Sequence, residues 1–220
     1  MLIAELIDKQ DSFEIVRDQI GAILLAETVN QQSLAIADGK DPDLWKLRIF
    51  VERSNPWEEW LNDDSDKSPI VNVWFDNSDF DRSASNVMER QKSTGIFNID
   101  CYGYGVAVDT VGGHEPGDKN AAFESHRAVR LVRNILMSAN YTYLDLRGLV
   151  WTRWIRTINS FQPQQNQNSV QQIVASRFSF EVVYNEFSPQ IPPEILELIH
   201  VDVFRSETGE LYMDAEYEFS

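Results

Sequence analysis

Cysteine is almost missing from this chain: Cys101 is the only one among 220 residues. A single cysteine cannot form an internal disulfide, and no CxxC pair is present, so neither a disulfide framework nor a cysteine zinc site is expected. The sequence also lacks the roughly 20 consecutive apolar residues of a transmembrane helix. Its first residues include Glu5 and Asp8 and have no basic region, which argues against a signal peptide. We therefore expect synthesis in a reducing cytoplasm and no membrane partner.

Positive charge is also scarce, with 19 Lys and Arg against 35 Asp and Glu and a net charge of −16. Binding to nucleic acid by counterion release requires clustered cations, so this chain is not expected to hold DNA or RNA. An acidic surface can nevertheless surround DNA without retaining it, because like charges repel. The simpler interpretation of the acidity is solubility.

Catalytic motifs are absent as well. The sequence contains no GxSxG, HExxH or Walker A pattern. Gly103 and Gly105 form a GxG, but no third glycine follows and no helix begins there, so this is a very weak phosphate signal. We predict a protein that is not an enzyme and that uses no cofactor.

The clearest pattern that is present runs from about Thr94 to Phe187 and reads strand, helix, strand, strand. The helix is predicted over 120–139 with Asp118 as its N-cap. Before it, residues 95–108 alternate in polarity, and Gly103 and Gly105 on the apolar face predict close approach of a helix to the sheet. The other two strands are predicted over 150–160 and 174–187.

The preceding residues predict one more helix and two more strands. The helix spans Ser12 to about Ala37, with Asp11 and Glu14 as a capping box and Asp38-Gly39 as its end. The strands are predicted over 45–52 and 69–76, and long loops over 54–68 and 77–94. The fold class is α+β: a mostly antiparallel sheet with two packed helices, in the order α-β-β-β-α-β-β, over residues 1–189.

Residues 190–220 are predicted to be a separate acidic extension, because Pro189, Pro192 and Pro193 form a stiff break. Strict alternation near the C-terminus predicts a β-hairpin. A lone hairpin is only marginally stable, so it must dock on its own domain, a second copy or another protein. The candidate docking residues are Leu211, Met213, Tyr217 and Phe219.

Two groups of residues are candidates for a subunit interface. Arg127, Arg130 and Arg133 form a basic stripe on the second helix, which is either a solvated helix face or a surface that meets acidic groups of a neighbouring copy. The strand 150–160 carries aromatic and arginine side chains on both faces, which is typical of interfaces but also of a core with a cation–π pair. Its candidates are Trp151, Arg153, Trp154 and Arg156.

One alternative is a metal site. Asp76, Asp79 and Asp81 carry the oxygen ligands that hard cations prefer, although their spacing fits no EF-hand. His114 beside Glu115 suggests an acid–base pair. A solvated acidic loop is the favoured interpretation of the three aspartates, and a turn between elements that of His114 and Glu115. A metal-dependent hydrolase is therefore the least favoured hypothesis.

The element order over residues 11–189 resembles that of phage tail terminator proteins, also called tail-completion or minor tail proteins. The features that carry the resemblance are the strand that begins Gly95-Ile-Phe-Asn-Ile-Asp, the helix 122–139, and the strand pair 151–161 and 177–189. The long loops and the 190–220 extension depart from the family's usual pattern.

The resemblance implies a homo-oligomeric ring, commonly a hexamer, in the virion's tail or neck. Such a ring caps the tail tube, ends its polymerisation and contacts the neck connector or head-completion protein, and in some tails the sheath. Genomic DNA passes through the ring without specific binding, and the protein is made in the bacterial host cytoplasm. Another connector, adaptor or contractile-tail junction protein of similar fold is the alternative.

Overall fold

A computed structural model describes residues 8, 10–62, 66–82, 90–163, 172–187, 198–204 and 211–218. In chain order its helices are α1 (Ser12–Ala37), α2 (Glu59–Asn62) and α3 (Gly117–Leu136). The strands are β1 (Arg48–Val51), β2 (Ile70–Phe80), β3 (Arg90–Gly105), β4 (Val108–Thr110), β5 (Gly113–Glu115), β6 (Val150–Phe161), β7 (Gln172–Phe187), β8 (Leu198–Phe204) and β9 (Leu211–Glu218). The predicted α+β class is confirmed.

The central sheet has five strands in the order β1-β2-β3-β7-β6. Strand β1 pairs in parallel with β2, and the other neighbours are antiparallel. Helices α1 and α3 cover one face, where Phe97, Ile99, Phe178 and Phe180 are fully buried. The core therefore lies between one face of the sheet and the two long helices.

The bounds of α1 are those predicted from its ends. The Asp11 backbone N–H donates to the Glu14 carboxylate at 2.9 Å, within the expected capping box. Gly39 has a φ of +68°, and the Lys40 N–H donates to the Ala35 carbonyl at 2.8 Å. The helix stops there because glycine adopts this left-handed conformation without steric cost.

The strand predicted over 45–52 is correct only in its second half. Residues Pro42–Trp45 form a 3₁₀ turn, and β1 begins at Arg48. The Asp41 carboxylate caps the turn by accepting the Asp43 N–H at 3.0 Å, and Pro42 has the φ that a helical turn requires. These two local preferences outweigh the apolar alternation.

The two long loops predicted before β3 are also wrong in large part. β2 extends to Phe80 and β3 begins at Arg90, so half of 77–94, namely 77–80 and 90–94, belongs to paired strands, and residues 83–89 lie outside the described residues. Hydroxyl groups stabilise this polar hairpin: Ser78 Oγ lies 2.9 Å from Tyr184 OH and also contacts Ser93. Within 54–68, a 3₁₀ turn and α2 bury Trp60 completely against Ile70.

Helix α3 starts three residues earlier than predicted, with Pro116 as its N-cap and Asp118 inside the first turn. The close approach predicted from the glycines is confirmed. A Cβ at Gly103 would lie 2.0 Å from the Ala121 carbonyl oxygen, and one at Gly105 would lie 2.0 Å from the Gly117 oxygen. Only glycine permits this contact, which also fixes where α3 begins.

Two short hairpins lie outside the central sheet. Strands β4 and β5 pair where the sequence predicted a simple turn. Strands β8 and β9 form the predicted C-terminal hairpin, in which Val201 pairs with Ala215 and Asp202 with Asp214. The side chains of the docking candidates Leu211, Met213 and Tyr217 lie outside the described part of the structure, as does all of Phe219.

Candidate subunit interface

Strand β6 is an outer strand of the described sheet, because it pairs only with β7 there. Its register shifts between Val150 and Thr152, and again between Ile155 and Thr157. The extra residue is Trp151 at the first shift and Arg156 at the second. A bulge of this kind changes the direction in which the neighbouring side chains point. The regular two-faced alternation predicted for this strand is therefore replaced by a bulged edge.

Three large apolar side chains of β6 are exposed: Trp151 at 55%, Trp154 at 49% and Ile158 at 47%. An outer strand offers unpaired backbone groups to another chain, and natural sequences usually protect such an edge with charge. Here the edge carries two tryptophans, which are enriched where interfaces bind most tightly. The arrangement suits association with a second protein surface.

Arg153, although on the same strand, has an intramolecular role. Its guanidinium donates to the carbonyl oxygens of Leu136 at 2.6 Å, Ser138 at 2.7 Å and Thr142 at 2.8 Å. These include the free carbonyls at the C-terminus of α3, which the helix itself cannot satisfy. Arg153 therefore ties the sheet edge to the helix end. Burial lowers its pKa.

The arginines of α3 also divide into two kinds. Arg127 is mostly buried; it pairs with Glu124 and donates to the backbone carbonyl of Leu44, joining α3 to the turn before β1. Arg130 and Arg133 are exposed and form no ion pair in the described part of the chain. Arg156 on β6 is exposed too. Only these three of the five candidate arginines are placed for contact with a neighbour.

A buried ion pair that the sequence pattern did not reveal lies between the two central strands. On the sheet face opposite α1 and α3, Arg177 of β7 donates to both carboxylate oxygens of Asp100 on β3, from Nε at 2.7 Å and Nη2 at 2.9 Å. The guanidinium also lies over the rings of Trp74, at 4.6 Å from the centroid, and Phe161, at 5.3 Å. Hydrogen bonding to Asp100 raises the pKa of Arg177.

This pair anchors β6 as well as the core, since Phe161 is the last residue of β6 and Asn159 lies opposite Arg177 in the register. The signal in the sequence is a charged residue on the polar face of each of two alternating strands, Asp100 in β3 and Arg177 in β7. It becomes interpretable only when the register that places Asp100 opposite Arg177 is known.

A cavity of about 410 Å³ lies between α1 and the C-terminal end of α3. Glu27, Thr28, Trp45 and Tyr141 are among its lining residues. The Tyr141 hydroxyl donates to the Glu27 carboxylate at 2.6 Å, which lowers the pKa of Glu27 and raises the pKa of Tyr141 to about 12. A tyrosine held protonated and a carboxylate held ionised are a poor acid–base pair near neutral pH.

The residues proposed for a metal site are not brought together. Asp76, Asp79 and Asp81 lie on or just after β2 and are exposed, whereas His114 belongs to the separate β4–β5 hairpin. His114 Nδ1 lies 2.8 Å from Asp109 on the paired strand. No group of three His, Cys, Asp or Glu in the described ranges is arranged to hold a metal ion. Nothing in this geometry favours the hydrolase hypothesis.

Comparison with known proteins does not assign the chain to a family. The sequence matches no family model and no curated protein at a significant level. Within the described residues, no helix is both long enough and apolar enough to cross a membrane. The case for function therefore depends on the surfaces of the molecule.

Proposed function

We propose that this chain is a structural protein whose copies join through the β6 edge into a closed ring. The observation that carries the proposal is the exposed apolar edge itself: Trp151, Trp154 and Ile158 lie on one outer strand that is anchored firmly to the core. A preformed, rigid surface binds with little loss of conformational entropy. An interface between identical copies uses such a surface more naturally than a small substrate does.

The ring follows from the position of β6 at one end of the sheet. If β6 of each copy meets a different surface of the next copy, the contact is head-to-tail, and a closing rotation gives a ring. Arg156, Arg130 and Arg133 supply exposed cations in a chain of net charge −16, so each copy offers both exposed cations and many acidic partners. Such complementarity orients the encounter more than it strengthens the complex.

The specific role that we propose is that of a phage tail terminator. The support is the resemblance in element order together with an α+β core that has the predicted two helices and mostly antiparallel sheet. In this role the ring caps the tail tube, contacts the neck connector and lets DNA pass. The acidic composition suits a lumen that does not retain DNA. A different connector or tail-junction protein of the same fold remains the alternative.

The interface is tested by measuring the mass of the purified chain by light scattering and imaging its particles. Trp154→Glu should abolish ring-sized particles, because it places a carboxylate in an apolar contact. Phe80→Glu is a matched control, since Phe80 is 46% exposed, Trp154 is 49% exposed and both changes add one negative charge. Equal assembly of both variants would refute the β6 interface.

The role at the tail is tested separately by locating the chain in assembled particles. Antibody labelling should place it at the junction of tail and head, and the purified chain should bind the ends of isolated tail tubes. A chain that forms rings but is missing from tail ends would favour the alternative adaptor role. A chain that stays monomeric and is missing from every particle would refute both proposals.

A further inference from the structure

Helix α1 is apolar on two sides. Val16, Ile20 and Leu24 are fully buried against the sheet, but Leu25, Val29 and Ile36 are exposed at 57%, 59% and 65%. A helix that is apolar all round is normally covered on all sides. The outer side of α1 is therefore a surface that the described part of the chain leaves uncovered.

The residues on this side, all exposed except the half-buried Gln32, follow a heptad spacing. Ala22, Leu25, Val29, Gln32 and Ile36 recur at intervals of three, four, three and four, which places them in one line along the helix. Ala26 and Ser33 flank that line. We call these seven residues the outer stripe of α1. It contains no charged residue over 15 positions, a length of about 22 Å, in a chain of which 25% of residues are charged.

The stripe is complementary to itself when two copies run antiparallel. With a two-fold axis at Val29, Ala22 lies opposite Ile36 of the second copy, Leu25 opposite Ser33, and Ala26 opposite Gln32. In each of these three pairs a small side chain faces a larger one, which favours interdigitated packing, and at the axis Val29 faces Val29. Self-complementarity of one patch is what a two-fold contact between identical subunits requires.

The outer stripe also suits the charge of a second copy. Two chains of net charge −16 repel each other over most of their surfaces, whereas the stripe itself carries no charged residue. Beyond the stripe, Asp18 is exposed and lies opposite Lys40 of the second copy in the antiparallel arrangement. Within its own chain Lys40 contacts Asp38 at 3.1 Å, so this end contact adds little to the pairing.

We infer that the outer stripe of α1 is a helix-docking surface whose occupant is α1 of a second copy, packed antiparallel about Val29. This contact goes beyond the proposed ring, because it uses neither β6 nor the arginines of α3. A single helix pair of this length buries less than the about 800 Å² per partner of a standard interface. The dimer is therefore weak on its own and is best detected by cross-linking.

Engineered cysteines test the geometry directly, because the native Cys101 is fully buried and burial raises the pKa of its thiol, which makes it unreactive. Val29→Cys should form a covalent dimer on mild oxidation, since each residue faces its own copy. Docking raises the effective concentration of the two thiols, so we expect roughly tenfold more dimer than from the off-stripe control Asn30→Cys. Leu25→Cys and Ser33→Cys should cross-link efficiently only when the two variants are mixed.

Three outcomes overturn the inference. Equal cross-linking of Val29→Cys and Asn30→Cys shows that α1 does not dock. Self-cross-linking of Leu25→Cys alone, without the mixed product, shows a parallel pair or another occupant. An unchanged Val29→Cys yield after a second change, Ile36→Glu, shows that the stripe does not hold the pair. Circular dichroism checks that each variant is folded.

The Trp154→Glu background separates this inference from the proposed function. If both are correct, the ring is lost but the Val29→Cys dimer persists. If the ring is lost and no dimer forms, the α1 contact is refuted and the ring proposal is not. If the dimer forms but even the chain with Trp154 never forms rings, the ring proposal is refuted and the α1 contact is not.

Discussion

The ion pair between Asp100 and Arg177 offers the sharpest test of how the sheet is stabilised. Its two members differ in exposure: the Asp100 side chain is 5% exposed, whereas the Arg177 side chain is 34% exposed. Removing the arginine leaves a carboxylate that cannot reach water. Removing the carboxylate leaves a long cation that can turn outward. The two variants Arg177→Met and Asp100→Asn should therefore destabilise the protein unequally.

The magnitudes follow from what each variant leaves behind. Breaking a buried pair so that one charge is uncompensated costs about 3–5 kcal/mol. After Arg177→Met, Asp100 keeps the Trp74 indole N–H at 3.0 Å and a long contact from the Tyr102 hydroxyl at 3.4 Å. These contacts place the expected loss near the lower limit, about 3 kcal/mol. Asp100→Asn should cost about 1–2 kcal/mol, because Arg177 becomes hydrated through its exposed end.

Urea titrations followed by tryptophan fluorescence measure both free energies of unfolding. Arg82→Met is the control for loss of a cation, because Arg82 is exposed, and it should change stability by less than about 0.5 kcal/mol. The double variant should be more stable than the sum of the single losses predicts, by about 1–2 kcal/mol, since the two side chains act as one unit. Equal losses from both single variants would refute the reasoning from exposure.

Three further predictions concern other contacts. Gly103→Ala should cost about 3 kcal/mol or prevent folding, because its Cβ would collide with the Ala121 carbonyl; thermal unfolding measures this, and a near-native melting temperature would contradict it. Arg153→Met should cost about 2 kcal/mol in urea titrations and increase amide exchange at the C-terminal end of α3, since three carbonyls lose their donor. Burial alone would raise the pKa of Asp66, but hydrogen bonds from Ser68 and contact with Lys46 lower it to about 2. Its stabilisation is complete above the unfolded-state pKa of about 3.9 and is lost toward pH 2, so the roughly 1 kcal/mol cost of Asp66→Asn should vanish over that range.

The parts of the fold that the sequence predicted correctly have local causes. The ends of α1 are set by Asp11, Glu14 and Gly39, all within three residues of a helix terminus. The close approach of α3 was predictable because Gly103 and Gly105 stand on an apolar face where side chains are otherwise expected. In each of these cases the determining residues lie in one element or directly beside it.

Apart from the local turn at Pro42–Trp45, the errors arise from contacts between distant parts of the chain. The polar hairpin of β2 and β3 was predicted as a loop because its stabilising partner, the Tyr184 hydroxyl, is about a hundred positions away. Arg153 and Arg127 were predicted as candidates for a subunit interface because the backbone carbonyls that accept their hydrogen bonds leave no mark in a sequence. The outer stripe of α1 did leave a mark, namely apolar residues at heptad spacing outside the buried face.

The two proposed contacts are compatible because they use different parts of the molecule. Helix α1 packs over β1 and β2, whereas β6 lies at the opposite edge of the sheet. A two-fold contact through α1 therefore leaves β6 available for a head-to-tail contact. Combining a two-fold axis with a closed ring generates two rings that face each other. Because the two contacts use separate surfaces, ring formation does not displace the α1 contact, and the Val29→Cys dimer should also form in assembled rings.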